Sequence, residues 1–113
     1  MTLEIFNQDL TGYPVVLNNG LAVNKTGVSI LIKPQILNGD LELNITKATF
    51  AGLSLFGAVR NKANSIILDM LSQYHVKANK INGNIVINIP QIIFDNIFVN
   101  NESIVFEFNI KTV

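Results

Sequence analysis

Few side chains of this sequence are of the types that carry acid–base or metal chemistry. His75 is the only histidine, there is no cysteine, and no motif surrounds Asp69 or Asp95. A general acid–base pair or a metal site needs several such groups at one place. We therefore interpret His75 as a solvated or capping residue and both aspartates as surface charges. The sequence predicts no catalytic residue, no metal ligand and no cofactor.

The segment from Gly52 to Gly57, GLSLFG, superficially resembles a nucleophile elbow. It has four residues between its glycines, whereas the elbow has three. Glycine-rich phosphate loops are absent as well. We interpret Ser54 instead as the N-cap of a helix, because a serine hydroxyl can accept a hydrogen bond from a first-turn N–H group. The protein is therefore predicted not to be an enzyme.

Residues 54–74 are predicted to form one long amphipathic helix around which the chain is organised. Apolar residues recur at steps of three and four: Phe56, Val59, Ala63, Ile66, Ile67, Met70, Leu71 and Tyr74. The other side is polar: Arg60, Asn61, Lys62, Asn64, Asp69, Ser72 and Gln73. This spacing is typical of a helix that buries one stripe against a sheet.

Residues 28–33, 41–50 and 104–110 alternate apolar and polar residues, as strands do, and turn residues flank the other predicted strands. The short apolar run at residues 3–6 is interpreted as an edge strand or an ordered arm. We expect strands within residues 3–6, 13–17, 21–23, 28–33, 41–50, 76–81, 84–89 and 104–110. Asn18-Asn19-Gly20 and Asn82-Gly83 predict hairpin turns, since Asn and Gly adopt positive φ angles readily. The order of these elements, with strands on both sides of one helix, predicts a single α+β domain over residues 1–113. We expect a curved antiparallel sheet wrapped around the helix.

The composition indicates which kinds of partner the protein binds. Hydrophobic residues make up 49% of the chain and charged residues 14%, with eight basic and eight acidic side chains. A zero net charge argues against nucleic-acid binding. Surplus apolar surface indicates a lipid, membrane or protein partner. Arg60, Lys62, Lys77 and Lys80 either face anionic head groups, as a peripheral membrane contact would require, or are simply solvated.

No segment reaches the roughly 20 apolar residues of a membrane span, and residues 1–10 lack the pattern of a signal peptide. The expected location is cytoplasmic if the chain is complete and the cell envelope if an anchor precedes it. Tyr13, Tyr74, Phe94 and Phe98 are candidates to line a pocket or an interface, although aromatic residues in a core are commoner.

One family resemblance rests on the order of short elements. Asn38-Gly39 begins an alternating strand, Ala51-Gly52-Leu53 follows it, and the amphipathic helix comes next. This order resembles small bacterial domains of the tubular lipid-binding superfamily, in particular the YpmS-like and LmeA-like families. The resemblance implies a highly curved sheet around a long helix, with an apolar groove for acyl chains and a function carried by the cavity wall.

The leading expectation is therefore non-enzymatic binding of a lipid or other apolar small molecule between helix and sheet. The predicted ligand-binding residues are Phe56, Val59, Ala63, Ile67 and Met70. The alternative is a structural or assembly protein, such as a homodimer, that uses surplus apolar surface as its interface. The segment Ile92–Val99 is the predicted contact in that case, because its pattern fits no single buried face.

Overall fold

The structure of the chain is a computed structural model that describes residues 1–25, 27–53 and 56–111, with the backbone alone for residues 56–59. In these ranges the chain forms nine strands, one α-helix and a short 3-10 helix, Asn7–Leu10. The strands are β1 (Thr2–Phe6), β2 (Val15–Leu17), β3 (Leu21–Lys25), β4 (Val28–Leu37), β5 (Asp40–Phe50), β6 (Asn79–Ile81), β7 (Asn84–Ile87), β8 (Ile92–Val99) and β9 (Ser103–Ile110). The helix, α1, is Phe56–Gln73.

The strands form two sheets in which all neighbouring strands are antiparallel. One sheet has the order β1-β9-β8, and the other has the order β2-β3-β4-β5-β7-β6. Each segment predicted to be a strand contains one, although β6 and β7 are shorter than predicted. After β5 the chain runs through α1 and β6 before β7 takes its place beside β5.

The predicted α+β fold, a curved sheet wrapped around a long central helix, is wrong. α1 has 18 residues, about 27 Å at 1.5 Å per residue, in a molecule 46 Å long. It lies against β5 and β7 rather than inside a ring of strands. The molecule is mainly antiparallel β, so the TULIP-like α+β architecture that the resemblance implied is wrong too.

The buried stripe of α1 is narrow, which explains this difference. Over residues 60–73 the buried side chains are those of Ala63, Asn64, Ile67 and Met70. Tyr74, predicted on the apolar face, is 51% exposed. One face of one sheet is enough to cover such a stripe. The three-stranded sheet packs instead against β4 and β5 through β8.

A β-bulge explains why β5 departs from strict alternation. Its buried hydrophobic residues stand at odd positions up to Ile45 and continue at Ala48, an even position. The register against β4 shifts at the same place, between Leu31 and Ile32. An extra residue in one strand returns the following side chains to the same face, so the apolar face of β5 stays continuous.

A second bulge interrupts β8 between Phe94 and Asn96. Ile92 and Phe94 are partly or fully buried before it, and Ile97 and Val99 are partly buried after it. The interpretation that Ile92–Val99 fits no single buried face is therefore wrong, because the bulge brings both halves to one face.

Three reversals have positive φ angles at both central residues: Asn38-Gly39, Ala51-Gly52 and Asn82-Gly83. This geometry is that of the type I′ turn, whose twist matches that of antiparallel strands. Gly20 has a different role from the predicted one. A Cβ atom there would lie 2.8 Å from the carbonyl oxygen of Ile32, so close backbone approach requires this glycine.

Polar side chains of α1 hold the β6–β7 turn. The Nδ2 group of Asn64 donates to the carbonyl oxygen of Gly83 at 3.1 Å. The Nη2 group of Arg60 donates to Oδ1 of Asn84 at 2.9 Å. Asn64 is only 1% exposed, so its predicted place on the solvated face is wrong.

α1 ends in a Schellman motif at His75. The Val76 N–H donates to the Leu71 carbonyl oxygen at 2.9 Å, and the His75 N–H donates to that of Ser72 at 3.0 Å. His75 has a φ angle of 60°, the left-handed conformation of the residue after the C-cap. The capping interpretation of His75 is confirmed by these bonds.

Candidate functional site

An apolar cleft of about 180 Å³ lies between the carboxyl-terminal half of α1 and the six-stranded sheet. Nine residues line it: Val15, Leu21, Val23, Ile32, Leu43, Ile67, Met70, Leu71 and Tyr74. None of them carries a charge, and only Tyr74 has a side-chain hydrogen-bonding group. The cleft therefore offers its interior to an apolar ligand or segment.

Antiparallel pairing in the sheet positions one wall of the cleft. Val15 on β2 pairs with Val23 on β3, and Leu21 on β3 pairs with Ile32 on β4. Directly paired residues point to the same face. Val23 and Ile32 are almost fully buried, whereas Val15 and Leu21 are half-buried. The sheet thus supplies a closed floor and an accessible rim.

The helix supplies the opposite wall. Ile67, Met70, Leu71 and Tyr74 recur at steps of three or four, which places them on one side of α1. Ile67 and Met70 are buried, Leu71 is half-buried and Tyr74 is exposed. The wall therefore opens towards solvent at the carboxyl end of the helix.

Two tyrosines stand beside the opening of the cleft. The rings of Tyr13 and Tyr74 have centroids 5.8 Å apart and are tilted by 45°. Both remain about half exposed, at 54% and 51%. Tilted aromatic pairs attract each other weakly. The pair lies at the carboxyl end of α1, where Tyr74 lines the cleft.

A shallower and more polar depression of about 470 Å³ adjoins the cleft and shares Val15 with it. Val16 of β2 also lines it, and the 3-10 helix and the following turn provide the other lining residues: Asn7, Gln8, Leu10, Thr11, Gly12 and Tyr13. Oδ1 of Asn7 already accepts a hydrogen bond from the Leu17 N–H at 3.1 Å. No lining residue is charged, so this surface suits an uncharged polar group.

The predicted ligand-binding residues separate into three groups. Ile67 and Met70 line the cleft. Ala63 is fully buried in the core and does not line it. The side chains of Phe56 and Val59 lie outside the described residues, as does Ser54. The role of these five positions in binding stays a prediction.

Most of the cleft comes from strands that the sequence did not associate with the site. Val15, Leu21, Val23, Ile32 and Leu43 were recognisable only as inward-facing strand residues. Among the aromatic candidates, Tyr13 and Tyr74 meet at the opening, whereas Phe94 belongs to the core. Both tyrosines were candidates to line a pocket or an interface, and Tyr74 lines the cleft.

The residues considered for chemistry are not brought together. Asp69 is exposed on α1, and Asp95 on β8 accepts a hydrogen bond from Nδ2 of Asn109. Within residues 1–25, 27–53 and 56–111, no three side chains of His, Asp or Glu form a group suited to a metal ion. In the same part of the chain, no helix has the length and apolarity needed to cross a membrane.

Comparisons of this chain with protein-family models, curated proteins and solved structures gave no match. The kinship suggested by the order of elements therefore has no support beyond the sequence. The cleft, and not a family, is the basis for a functional hypothesis.

Proposed function

We propose that the protein binds a small apolar ligand, or one apolar segment of a lipid, in the cleft between α1 and the six-stranded sheet. The observation that carries this proposal is the lining of the cleft, which among the described residues is uncharged and nearly all hydrocarbon. An enclosed apolar cavity of about 150 Å³ takes up benzene, and this more open cleft presents the same kind of hydrocarbon lining to a ligand.

The volume limits the ligand. A cleft of about 180 Å³ is close to that benzene-binding cavity, so it suits one ring or a chain of roughly six carbons. Burial of six methylene groups contributes roughly 5 kcal/mol at about 0.8 kcal/mol each. Such a free energy corresponds to a dissociation constant on the order of 0.1–1 mM. A longer lipid would leave the rest of its chain outside the cleft.

The test is a methyl NMR titration with benzene and with hexanol. We expect saturable shifts confined to methyl groups that line the cleft, with those of Ile67, Met70 and Leu71 moving together. Val15→Phe places an aromatic ring in the cleft. Because this ring occupies the space of the ligand, the affinity should fall at least tenfold. Val16→Phe is the matched control, because Val16 does not line the cleft and is 55% exposed. Shifts scattered over the surface, or equal loss in both variants, would contradict the proposal.

A second candidate function is self-association through the outer face of the three-stranded sheet. Phe98 is 56% exposed and pairs with half-buried Val105 on that face, and Ile93 on the same strand is 37% exposed. Light scattering tests it: the wild-type chain should form a dimer that Phe98→Glu dissociates. Leu37→Glu, at an exposed position of the other sheet, should leave the dimer intact. A wild-type monomer at all concentrations would exclude this candidate.

A further inference from the structure

Two turns meet at the end of the molecule where α1 begins. The Ala51 N–H donates to the carbonyl oxygen of Gly27 at 3.0 Å, which joins the β5–α1 turn to the β3–β4 turn. Phe50 and Leu53 close their own turn through two backbone hydrogen bonds of 3.0 and 2.9 Å. These hydrogen bonds fix the relative positions of Gly27 and residues 50–53 at this end.

Two large apolar side chains project from this surface. Leu53 is 61% exposed and Phe50 is 41% exposed. The Nζ group of Lys62 lies 5.1 Å from the centroid of the Phe50 ring, in the range of a cation–π contact. Lys25 and Lys47 are exposed on the strands that enter the two turns. We call Lys25, Lys47, Phe50, Leu53 and Lys62 the basic tip.

Charge is strongly partitioned along the molecule, although the net charge is zero. Five of the eight basic residues lie on the strands and helix at or next to the tip: Lys25, Lys47, Arg60, Lys62 and Lys80. Residues 10–39 and 43–68 contain no acidic residue. Six of the eight acidic residues lie away from the tip. Glu4, Asp95, Glu102 and Glu107 are in the three-stranded sheet or its β8–β9 turn, Asp9 is on the 3-10 helix, and Asp40 is at the far end of β5. Glu42 also lies near that far end of β5, and Asp69 is on α1.

We propose that the basic tip docks on an anionic lipid bilayer. Phe50 and Leu53 enter the boundary between head groups and acyl chains, and the three lysines lie at the level of the anionic head groups. Basic side chains around exposed apolar ones are the composition that binds anionic membrane surfaces. The tip, which has no acidic residue among Lys25, Lys47, Phe50, Leu53 and Lys62, then faces the bilayer, and Asp40 and Glu42 at the far end of β5 are held away from it.

A bilayer fits this surface better than a nucleic acid or an acidic protein does. Aliphatic Leu53 is the most exposed residue of the tip's apolar pair, and an aliphatic side chain contributes neither base stacking nor hydrogen bonds. A bilayer is a deformable apolar phase, so it can receive the exposed side chains of Phe50 and Leu53 without a pocket of matching shape. The tip lies at the opposite end of α1 from the opening of the cleft, so the two proposals are independent.

Vesicle sedimentation tests the proposal with the full chain. We expect the protein to bind vesicles of phosphatidylcholine mixed with phosphatidylserine at least tenfold more strongly than vesicles of phosphatidylcholine alone. Added salt should weaken this binding, because surface charges are screened. Leu53→Ser and Lys62→Gln should each reduce the partition coefficient several-fold. Leu37→Ser and Lys33→Gln are the matched controls, exposed on β4 away from the tip, and should leave it unchanged.

Several results would overturn the proposal. These are no binding to either kind of vesicle, equal binding to both, or equal losses in the tip variants and their controls. Tight binding of RNA or of an acidic peptide, without vesicle binding, would also overturn it. Circular dichroism on each variant shows whether the fold is kept. Hexanol titration of Leu53→Ser separates the two proposals, since cleft binding should survive the loss of vesicle binding.

Discussion

Asn64 has the lowest exposure among the buried polar side chains of the described residues. Its Nδ2 group holds Gly83, while its Oδ1 atom has no hydrogen-bond partner within the part of the chain that is described. A helical period alone placed this residue on the solvated face, because the sequence does not indicate that a hairpin turn covers that side of α1. A buried polar anchor of this kind depends on tertiary contacts and could not be predicted locally.

Replacement of the Asn64 amide by a carboxylate tests whether this side chain is buried in solution. Asn64→Asp should lower the free energy of unfolding by at least about 2 kcal/mol at neutral pH, because a charge is buried and a donor to Gly83 is lost. Urea denaturation checks this. Asn61→Asp is the control: Asn61 is exposed and its Oδ1 accepts from Nζ of Lys80 at 3.3 Å, so its stability should change by less than about 0.5 kcal/mol. Equal effects at both positions would contradict the assigned burial.

The secondary-structure elements were the most predictable level. Alternation or flanking turn residues located eight of the nine strands of the described residues, whereas β8 was not among the predicted strands. Asn-Gly pairs located two of the three type I′ turns in the same part of the chain. The bulges in β5 and β8 were visible only as lapses in alternation, at Lys47 and around Asp95. A bulge cannot be distinguished from a strand end without the partner strand, because it is defined by the register between two strands.

The end of α1 offers a stability test at this scale. His75→Gly should raise the free energy of unfolding by about 0.5–1 kcal/mol, because glycine adopts the left-handed conformation at φ 60° without a Cβ penalty. Thermal unfolding followed by circular dichroism measures the change. Ser72→Gly, inside the helix, should have the opposite sign and lower stability by roughly 0.5–1 kcal/mol. A loss of stability in His75→Gly would contradict this prediction. It would mean that the imidazole side chain stabilises the fold by more than the left-handed backbone of His75 destabilises it.

The arrangement of the whole molecule was the least predictable level. One hydrophobic cluster combines residues of both sheets and α1, and Phe94 lies inside it with ring centroids 6.0 Å from Phe106 and 6.5 Å from Phe108. Local patterns gave each strand its buried face but did not assign the strands to two sheets. That assignment depends on pairings between distant segments, such as β1 with β9. The candidate site was predictable only in part for the same reason. The helical period predicted Ile67 and Met70 as lining residues, whereas the lining residues from the strands depend on how the strands pair.

The position of β1 has a consequence for how copies of the chain can associate. β1 is an edge strand with four of its five side chains exposed, and β9 is its only strand partner. β1 is held mainly by backbone hydrogen bonds to a segment about 100 residues away. Its detachment therefore loses little buried apolar surface, and its return has the entropic cost of closing a long loop. Release of β1 would leave the vacated edge of β9 open to the same strand of a neighbouring molecule. We therefore predict that dimers formed at high concentration exchange β1 reciprocally between two copies of the chain.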